Sequence, residues 1–389
     1  MFKVQTFNKI SSKGLDLLPR DTYEIASEIS HPDAVILRSH KMHGMELPES
    51  VLAVARAGAG TNNVPVEEYG KKGVVVFNTP GANANSVKEL VLTGMLLSSR
   101  RIVDSINWAK TLVGEGDEVP KLIEKNKSNF TGPEIQGKTI GIIGLGAIGV
   151  MVANAATALG MDVVGYDPYL SVDGALAMSR KVRRVDALET LIKSSDYITI
   201  HVPLNDHTKG MINEEKLSMV KPGVRILNFS RGGLVNNGDI TKALENGSVA
   251  YYVTDFPDED MIKTDKVIAI PHLGASTPEA TDNCATMAAT QLRDFLEQGN
   301  IKNSVNFPNV SQARIPGTQR ITVTNRDVPN MVSQISTVLG ESNLNIEGMV
   351  NSSRGDIAYN IVDVEGTVEQ GLLEKLESIE GVVNVRLIP

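Results

Sequence analysis

The sequence predicts an α/β protein with a doubly wound, mostly parallel sheet at its centre and a small βαββαβ module at its C-terminal end. Short apolar runs, the pattern of buried parallel strands, alternate with helical patterns along most of the chain. The last segment of about 70 residues changes to the order βαββαβ, which is the ferredoxin-like arrangement. A chain of 389 residues is long enough for two to three domains.

The N-terminal region already shows the α/β alternation. Its short apolar runs predict three strands, over 35–37, 52–57 and 74–77. A long helix is predicted from Ser86, over the run SVKELVLTGMLLSSRRIVDSI. Ser86 and Glu89 form a capping-box pattern at its start.

The alternation restarts at Lys138 with clearer signals. A helix is predicted over 147–159, where Gly160 follows as a C-terminal stop signal. Thr277 and Pro278 predict the N-cap and first residue of another helix, which runs to about Gln298. The strands predicted in this region are 138–143, 161–166, 197–202, 224–229, 249–254 and 267–270.

The C-terminal part begins with a predicted linker over 304–318, which is polar and contains prolines. The periodic segments beyond it give the order strand, helix, strand, strand, helix, strand. They cover 320–324, 330–341, 345–350, 357–364, 369–379 and 382–387.

Composition limits the classes of function. The 46 acidic residues outnumber the 38 basic ones, for a net charge of −8, which argues against a nucleic-acid-binding surface. Cys284 is the single cysteine, so no intrachain disulfide is expected and a reducing compartment fits. The sequence shows neither a signal peptide nor an apolar run of about 18 residues, so we expect a cytoplasmic protein without a membrane partner.

The strongest motif is GLGAIG over 144–149, because it follows a predicted strand and opens a predicted helix. Gly144 permits a tight turn, Gly146 lets the backbone approach a pyrophosphate, and Gly149 allows close helix–strand packing. Asp167 lies about 20 residues further on, where a carboxylate binds ribose hydroxyls and repels a 2′-phosphate. These features predict a Rossmann-type domain that binds NAD.

Three charged or titratable residues in the second half suggest hydroxy-acid chemistry. Arg231 and His272 follow predicted strands, whose carboxyl ends bind ligands in doubly wound sheets, and Glu259 lies between them. An imidazole can take the hydroxyl proton near neutral pH, and a nearby carboxylate favours its charged form. A guanidinium can hold the substrate carboxylate. The acidic run leaves Asp258 and Asp260 open as alternatives to Glu259.

Together these segments resemble the D-isomer-specific 2-hydroxy-acid dehydrogenases, and the C-terminal module resembles an ACT domain. The similar segments are GLGAIG (144–149), Asp167-Pro168, NFSRGG (228–233), the acidic run 255–260, PHLGAST (271–277), LRSHKM (37–42), ARAGAGTNNV (55–64) and FNTPGANANSVKEL (77–90). The resemblance implies a flavodoxin-like substrate domain in two segments, 1–97 and 276–303, an NAD-binding domain over 98–275, the linker 304–318 and an ACT regulatory domain over 319–389.

The resemblance also implies an activity and a set of site residues. The activity is the oxidation of 3-phospho-D-glycerate to 3-phosphohydroxypyruvate with NAD, the first step of serine biosynthesis. The implied catalytic residues are Arg231, Glu259 and His272. The implied substrate-binding residues are Arg38 and Arg56, as partners of the distal phosphate, with Ser39, Gly58, Ala59, Gly60, Asn83, Arg231 and His272. The implied cofactor-binding residues are Val87, Gly144, Gly146, Ala147, Ile148, Gly149, Asp167, Pro168, His201, Val202, Pro203, Thr208, Phe229, Ser230, Arg231, Asp255, His272 and Gly274, with Asp255 on the nicotinamide carboxamide.

Two other functions stay open at this point. The same chemistry could act on another D-2-hydroxy acid, such as glycerate (with hydroxypyruvate) or glyoxylate, although an unphosphorylated substrate needs fewer cationic partners than Arg38 and Arg56 offer. The chain could instead be a non-catalytic NAD(H)-sensing regulator. We expect no metal, a homodimer or homotetramer, and an amino-acid effector at the ACT-like module.

Overall fold

The computed structural model describes residues 1–388, which form two compact units. The first unit comprises residues 1–83 together with the chain from Thr281 onward, and the second comprises residues 84–280. No helix of the described residues is long and apolar enough to cross a membrane.

The first unit opens with a five-stranded parallel sheet. Its strands are β1 (Phe2–Phe7), β2 (Tyr23–Ala26), β3 (Ala34–Leu37), β4 (Ala53–Arg56) and β5 (Val75–Phe77), accompanied by helices α1 (Ser12–Leu15) and α2 (Val66–Lys71). The order β2-β1-β3-β4-β5 is the flavodoxin-like order, with its switch point between β1 and β3. This confirms the predicted fold, and β3, β4 and β5 lie where strands were predicted.

The second unit contains a seven-stranded parallel sheet. Its strands are β6 (Thr139–Ile143), β7 (Asp162–Tyr166), β8 (Arg183–Arg184), β9 (Tyr197–Ile200), β10 (Val224–Asn228), β11 (Val249–Thr254) and β12 (Val267–Ala269). The order β12-β11-β10-β9-β6-β7-β8 is the Rossmann order extended by one strand, with its switch point between β6 and β9. The predicted doubly wound sheet is therefore confirmed.

Nine α-helices lie entirely within residues 84–280, the second unit. They are α3 (Ala84–Ser99), α4 (Ile102–Lys110), α5 (Val119–Asn126), α6 (Ala147–Ala158), α7 (Val172–Ala177), α8 (Leu188–Ser194), α9 (Glu214–Leu217), α10 (Asn237–Glu245) and α11 (Glu259–Lys263), with 3₁₀ turns over Gly116–Glu118 and Lys127–Phe130.

The prediction of one long helix from Ser86 was wrong in two respects. Helix α3 begins at Ala84, so Ser86 lies inside it and does not cap it. The helix ends at Ser99, because Arg101 takes a left-handed conformation with φ of 50°. The Arg101 guanidinium holds this break by donating to Asp104 at 3.1 Å and to the Asn129 carbonyl at 2.6 Å.

The C-terminal module has the predicted βαββαβ order. Helix α12 (Pro278–Gln298) precedes it, and the Thr277 hydroxyl accepts the Ala280 N–H at 3.1 Å as the N-cap. The module consists of β13 (Gln319–Arg326), α13 (Met331–Glu341), β14 (Asn345–Arg354), β15 (Ile357–Glu365), α14 (Gln370–Glu377) and β16 (Val382–Ile388). All three strand pairs of the sheet β14-β15-β13-β16 are antiparallel.

Both faces of this antiparallel sheet are covered. On one face, Val323 and Val362 pack in a cluster with Ile335 of α13. On the other, Tyr359 donates to the Gly299 carbonyl at 2.8 Å and packs edge-on against Phe307, with ring centroids 6.3 Å apart. The second face thus packs against the end of α12 and the predicted linker segment of the same unit.

A buried ion pair joins the sheet to that segment. Arg320 and Asp363 are fully buried and contact each other through both carboxylate oxygens at 2.7 Å. Arg320 also donates to the carbonyls of Gln298, Gln312 and Ala313 at 2.9–3.0 Å. All five N–H donors of the Arg320 guanidinium therefore have an acceptor, which a buried charge requires.

We expect Asp363→Ala to lower the free energy of unfolding by about 3–5 kcal/mol, because it leaves the buried Arg320 charge uncompensated. Urea denaturation measures the change. The exposed pair Glu118–Lys121 supplies the control, since Glu118→Ala should change stability by less than about 1 kcal/mol. Equal effects of the two variants would contradict the role given to Arg320.

Candidate active site

The glycine turn follows β6 and leads into α6, as the motif predicted. Gly144 has φ of 92°, and a Cβ there would lie 2.7 Å from the His201 carbonyl oxygen. A Cβ at Gly149 would lie 1.9 Å from the Gly144 carbonyl oxygen. Gly146, by contrast, has no atom within 4 Å of a Cβ position. The turn therefore needs two glycines for its own packing, and at the third it leaves space in front of the backbone N–H groups that open α6.

Asp167 is fixed beside this turn. One carboxylate oxygen accepts the Leu145 N–H at 2.8 Å, and the other accepts the Tyr169 N–H at 2.7 Å. The side chain is half-buried at the end of β7. A carboxylate has about four lone-pair directions, so capacity remains for the hydroxyls of a ribose.

The loops after β9 and β10 are tied to each other and to the turn. Ser230 donates to the Val202 carbonyl at 2.7 Å, and Thr208 donates to the Pro203 carbonyl at 2.6 Å. Val202 lies 2.9 Å from a Cβ position at Gly144. Other predicted cofactor residues lie on the same elements: Ala147 and Ile148 in the first turn of α6, exposed Pro168 after β7, and buried Phe229 after β10.

His201 is a neutral member of this group. Burial lowers the pKa of its imidazole to about 3. Its Nε2 lies 3.0 Å from the Thr199 hydroxyl, while its buried Nδ1 has no hydrogen-bond partner among residues 1–388. A buried polar atom without a partner calls for an explanation, and a ligand group is one.

The depressed pKa of His201 predicts acid sensitivity. The unfolded chain binds a proton at this imidazole below its ordinary pKa of 6.5, but the folded chain does so only below about 3. Between these two pH values, this group should lower the free energy of unfolding by up to about 1.4 kcal/mol for each unit by which the pH decreases. Urea denaturation between pH 7 and pH 4 should show a weaker pH dependence for His201→Gln, whereas exposed His207→Gln should match the parent chain. If the stability of the parent chain, His201→Gln and His207→Gln depended on pH in the same way, the acid sensitivity could not be assigned to His201.

A second cluster forms after β11 and β12. Asp255 follows β11 and is 2% exposed, and one of its carboxylate oxygens accepts the Gly274 N–H at 3.3 Å. Burial raises the pKa of Asp255, while His272, the Gly274 N–H and Arg231 act in the opposite direction. The other oxygen, Oδ1, is buried without a partner in the described part of the chain. The Gly274 N–H thus contacts Asp255, and His272 and Arg231, both exposed, lie near enough for their charges to act on its pKa.

Two apolar residues complete this cluster. The His272 ring packs against Phe256 with centroids 4.4 Å apart and planes 49° apart. Val87 of α3 lies 3.4 Å from a Cβ position at Gly274. The exposed His272 side chain thus has the Phe256 ring on one side and a buried carboxylate nearby.

The acidic run at 258–260 has a different environment. The Glu259 side chain is 80% exposed and pairs with Lys263 one turn along α11. Asp258 caps α11 by accepting the Met261 N–H at 2.8 Å and also accepts from the Asn237 amide, and Asp260 is exposed. The carboxylate beside His272 in this structure is Asp255. Glu259 as the partner of His272 stays a prediction.

In the first unit, the predicted substrate residues form two loops at the carboxyl edge of the sheet. Arg56 ends β4, and its guanidinium lies over Gly58, where a Cβ would come within 1.7 Å of Nη1. The Gly58 N–H donates to the Arg56 carbonyl at 2.9 Å, and the Ala59 carbonyl accepts from Asn78 at 2.7 Å. Gly60 follows in this loop, and half-buried Asn83 lies between β5 and α3.

The second loop carries Arg38 and Ser39 after β3. It is bound by Asn8, which follows β1 and was not among the predicted residues. An asparagine directly after a strand was the available signal, since it tolerates the left-handed conformation that Asn8 adopts at φ of 67°.

Comparison with known proteins places these motifs in a family. The model of the D-isomer specific 2-hydroxyacid dehydrogenase NAD-binding domain matches residues 92–274. The D-3-phosphoglycerate dehydrogenase of Haemophilus influenzae is 32% identical over 382 residues, which cover 95% of this chain and 89% of that protein. The chain belongs to the D-isomer specific 2-hydroxyacid dehydrogenase family. The glycine turn, Asp167 and the Asp255 cluster are thus parts of this family's NAD-binding domain.

Other family relatives are longer than this chain. The D-3-phosphoglycerate dehydrogenase of Methanocaldococcus jannaschii is 34% identical over 321 residues, covering 80% of this chain but 59% of that protein. The Bacillus subtilis protein of the same name is likewise covered over 59% of its length, at 34% identity. This chain therefore spans about three fifths of both.

Solved structures share the fold. NAD⁺-bound 3-phosphoglycerate dehydrogenase of Entamoeba histolytica aligns with a TM-score of 0.62 at 24% identity, covering 78% of this chain and 98% of that one. The holo form of Rhodotorula graminis D-mandelate dehydrogenase aligns with a TM-score of 0.67 at 22% identity, covering 80% and 99%. At these identities the likeness establishes the fold alone.

Proposed function

We propose that this chain oxidises 3-phospho-D-glycerate to 3-phosphohydroxypyruvate with NAD, and catalyses the reverse reduction. The observation that carries the chemistry is buried Asp255 bound to the Gly274 N–H, with the Phe256–His272 ring pair and Arg231 near it, at the carboxyl edge of an NAD-binding sheet. Arg38 and Arg56, at the ends of neighbouring strands β3 and β4, support a phosphorylated substrate. The names of relatives 32–34% identical support the same substrate.

The residues present fit NAD. The space at Gly146 admits a pyrophosphate against the start of α6, Asp167 offers acceptors to a ribose, and the unpaired Asp255 Oδ1 can accept from a carboxamide. When bound, the nicotinamide takes up a hydride from the substrate carbon during oxidation.

Each polar residue of the cluster has a role in this proposal. His272 Nε2 or Nδ1 takes the hydroxyl proton in oxidation and returns it in reduction. The buried Asp255 carboxylate is the anionic neighbour of the imidazole, and Arg231 holds the substrate carboxylate through paired N–H donors. Arg38 and Arg56 supply positive charge to the phosphate, with Ser39 and the loop 58–60 beside them.

The wider setting is also part of the proposal. The reaction would be the first step of serine biosynthesis, in the cytoplasm. The βαββαβ module would be an ACT domain that takes an amino-acid effector, and the chain would assemble as a homodimer or homotetramer.

The loss of NADH absorbance tests the proposed function, with 3-phosphohydroxypyruvate and hydroxypyruvate assayed side by side. We expect a strong preference in kcat/KM for the phosphorylated substrate. Equal or reversed preference would assign the chain to another D-2-hydroxy acid. The absence of turnover with either, while NADH still binds, would favour an NAD(H)-sensing regulator.

A further inference from the structure

The loop after β3, residues 38–40, is held by one side-chain oxygen. We call it the Arg38 loop. Asn8 Oδ1 accepts three consecutive backbone N–H groups, those of Arg38 at 3.4 Å, Ser39 at 3.0 Å and His40 at 2.8 Å. Consecutive N–H groups that converge on one point form a concavity suited to an anion. Here a neutral amide oxygen fills it.

The carbonyl groups of the same loop are held by a second asparagine. Asn63 Nδ2 donates to the Arg38 carbonyl at 3.3 Å and to the His40 carbonyl at 2.7 Å. The Asn63 carbonyl accepts the Met42 N–H at 2.8 Å. Asn8 and Asn63 thus bind both the donors and the acceptors of the Arg38 loop, which leaves its backbone little freedom.

An aromatic contact adds a third restraint. The His40 ring stacks on Phe7, the last residue of β1, with centroids 4.4 Å apart and planes 8° apart. Asn8 follows directly, so the end of β1 contacts the loop through two successive side chains. Because β1 and β3 flank the switch point of this sheet, the restrained loop lies where such sheets bind ligands.

The choice of asparagine at position 8 has a physical reason. Asn8 adopts φ of 67°, which asparagine tolerates better than most residues. Aspartate would also fit this conformation and would accept three N–H groups more strongly. It would, however, place a negative charge in direct contact with the backbone of Arg38, the proposed partner of a phosphate. A neutral acceptor orders the loop without opposing an anionic ligand.

We propose that Asn8 and Asn63 are positioning residues, which fix the Arg38 loop for the phosphate of the substrate and so set the preference for phosphorylated over unphosphorylated acids. This inference rests on the proposed function, because it takes Arg38 to bind the phosphate. Neither asparagine needs to touch the substrate.

Four variants test the inference by the KM of each 2-oxo acid in the NADH assay. Asn8→Gly removes the acceptor yet keeps the left-handed conformation accessible. Losing that acceptor should raise the KM for 3-phosphohydroxypyruvate about fivefold to tenfold, with a much smaller rise for hydroxypyruvate and little change in kcat. Asn63→Ala should raise the same KM by a similar factor.

Asn8→Asp, which keeps the acceptor but adds charge, should also raise the KM for 3-phosphohydroxypyruvate more than the KM for hydroxypyruvate. Asn343→Gly, at another left-handed asparagine in the C-terminal module, is the control and should leave both KM values unchanged.

The outcomes separate the two levels of inference. A parent chain without preference for the phosphorylated substrate would overturn the proposed function and this inference with it. A parent chain with that preference, and Asn8→Gly and Asn63→Ala variants that keep it, would overturn the inference alone. Equal KM increases for both substrates in these variants would show a general structural role, which also overturns it.

Discussion

Replacing His272 with alanine should lower the turnover of 3-phosphohydroxypyruvate by about 10³-fold, within the range that general acid–base groups contribute. The reason is that we propose the imidazole, packed against Phe256 and near the buried Asp255 carboxylate, as the group that moves the hydroxyl proton. NADH binding, followed by the fluorescence of the bound nucleotide, should be retained, since the glycine turn and Asp167 lie on other loops.

A histidine outside the cluster provides the control for this prediction. His31 is exposed in the first unit and has φ of 51°, a conformation that asparagine also tolerates. His31→Asn should therefore keep the parent turnover. Normal turnover in His272→Ala would remove the acid–base role from this residue.

The second large effect concerns Asp255, where activity and stability should change in opposite directions. Asp255→Asn removes the buried negative charge near His272, the proposed acid–base group, so we expect turnover in the reductive direction to fall by about 10²-fold or more. Glu259→Gln is the matched variant. It should reduce turnover less than Asp255→Asn does, since Glu259 is exposed and paired with Lys263.

The same substitution should raise the Tm at pH 8. Burial raises the pKa of Asp255 above its ordinary value, so the folded state favours the protonated acid and loses stability as the pH rises through the folded pKa. A neutral amide avoids that loss. The difference in Tm between Asp255→Asn and the parent chain should therefore be largest at pH 8 and shrink toward acid pH. A lower Tm at pH 8 would mean that the attraction of His272 and Arg231 outweighs the burial of the charge.

The sequence predicted those parts of the fold and site whose signal is local. Buried parallel strands such as β3 and β10 are short apolar runs, and the glycine turn needs particular residues at fixed spacing. Strand β2, with the sequence YEIA, has one fully buried residue and was not predicted, because an edge strand carries little apolar pattern. The break at Arg101 was missed since two of the acceptors that hold it, the Asn129 carbonyl and the Tyr251 hydroxyl, lie far along the sequence.

Contacts between distant residues explain the remaining differences at the site. Asp255 and His272 are neighbours because β11 and β12 pair in the sheet, and no spacing rule ranks Asp255 above the acids at 258–260. Asn8 contacts the Arg38 loop because β1 pairs with β3, an order that single-strand patterns do not reveal. Such residues need the strand order before their roles can be predicted.

The covered second face of the C-terminal sheet bears on how this protein can be divided. Tyr359 and Ile361 share a hydrophobic cluster with Phe295 and Phe307 of the first unit, and the Arg320 side chain donates hydrogen bonds to the connecting segment. Cutting the chain before β13 would expose that apolar surface to water and leave a truncated product prone to aggregation. The module therefore cannot be transferred to another protein by itself. A functional fusion would also need the end of α12 and the connecting segment, against which the module packs.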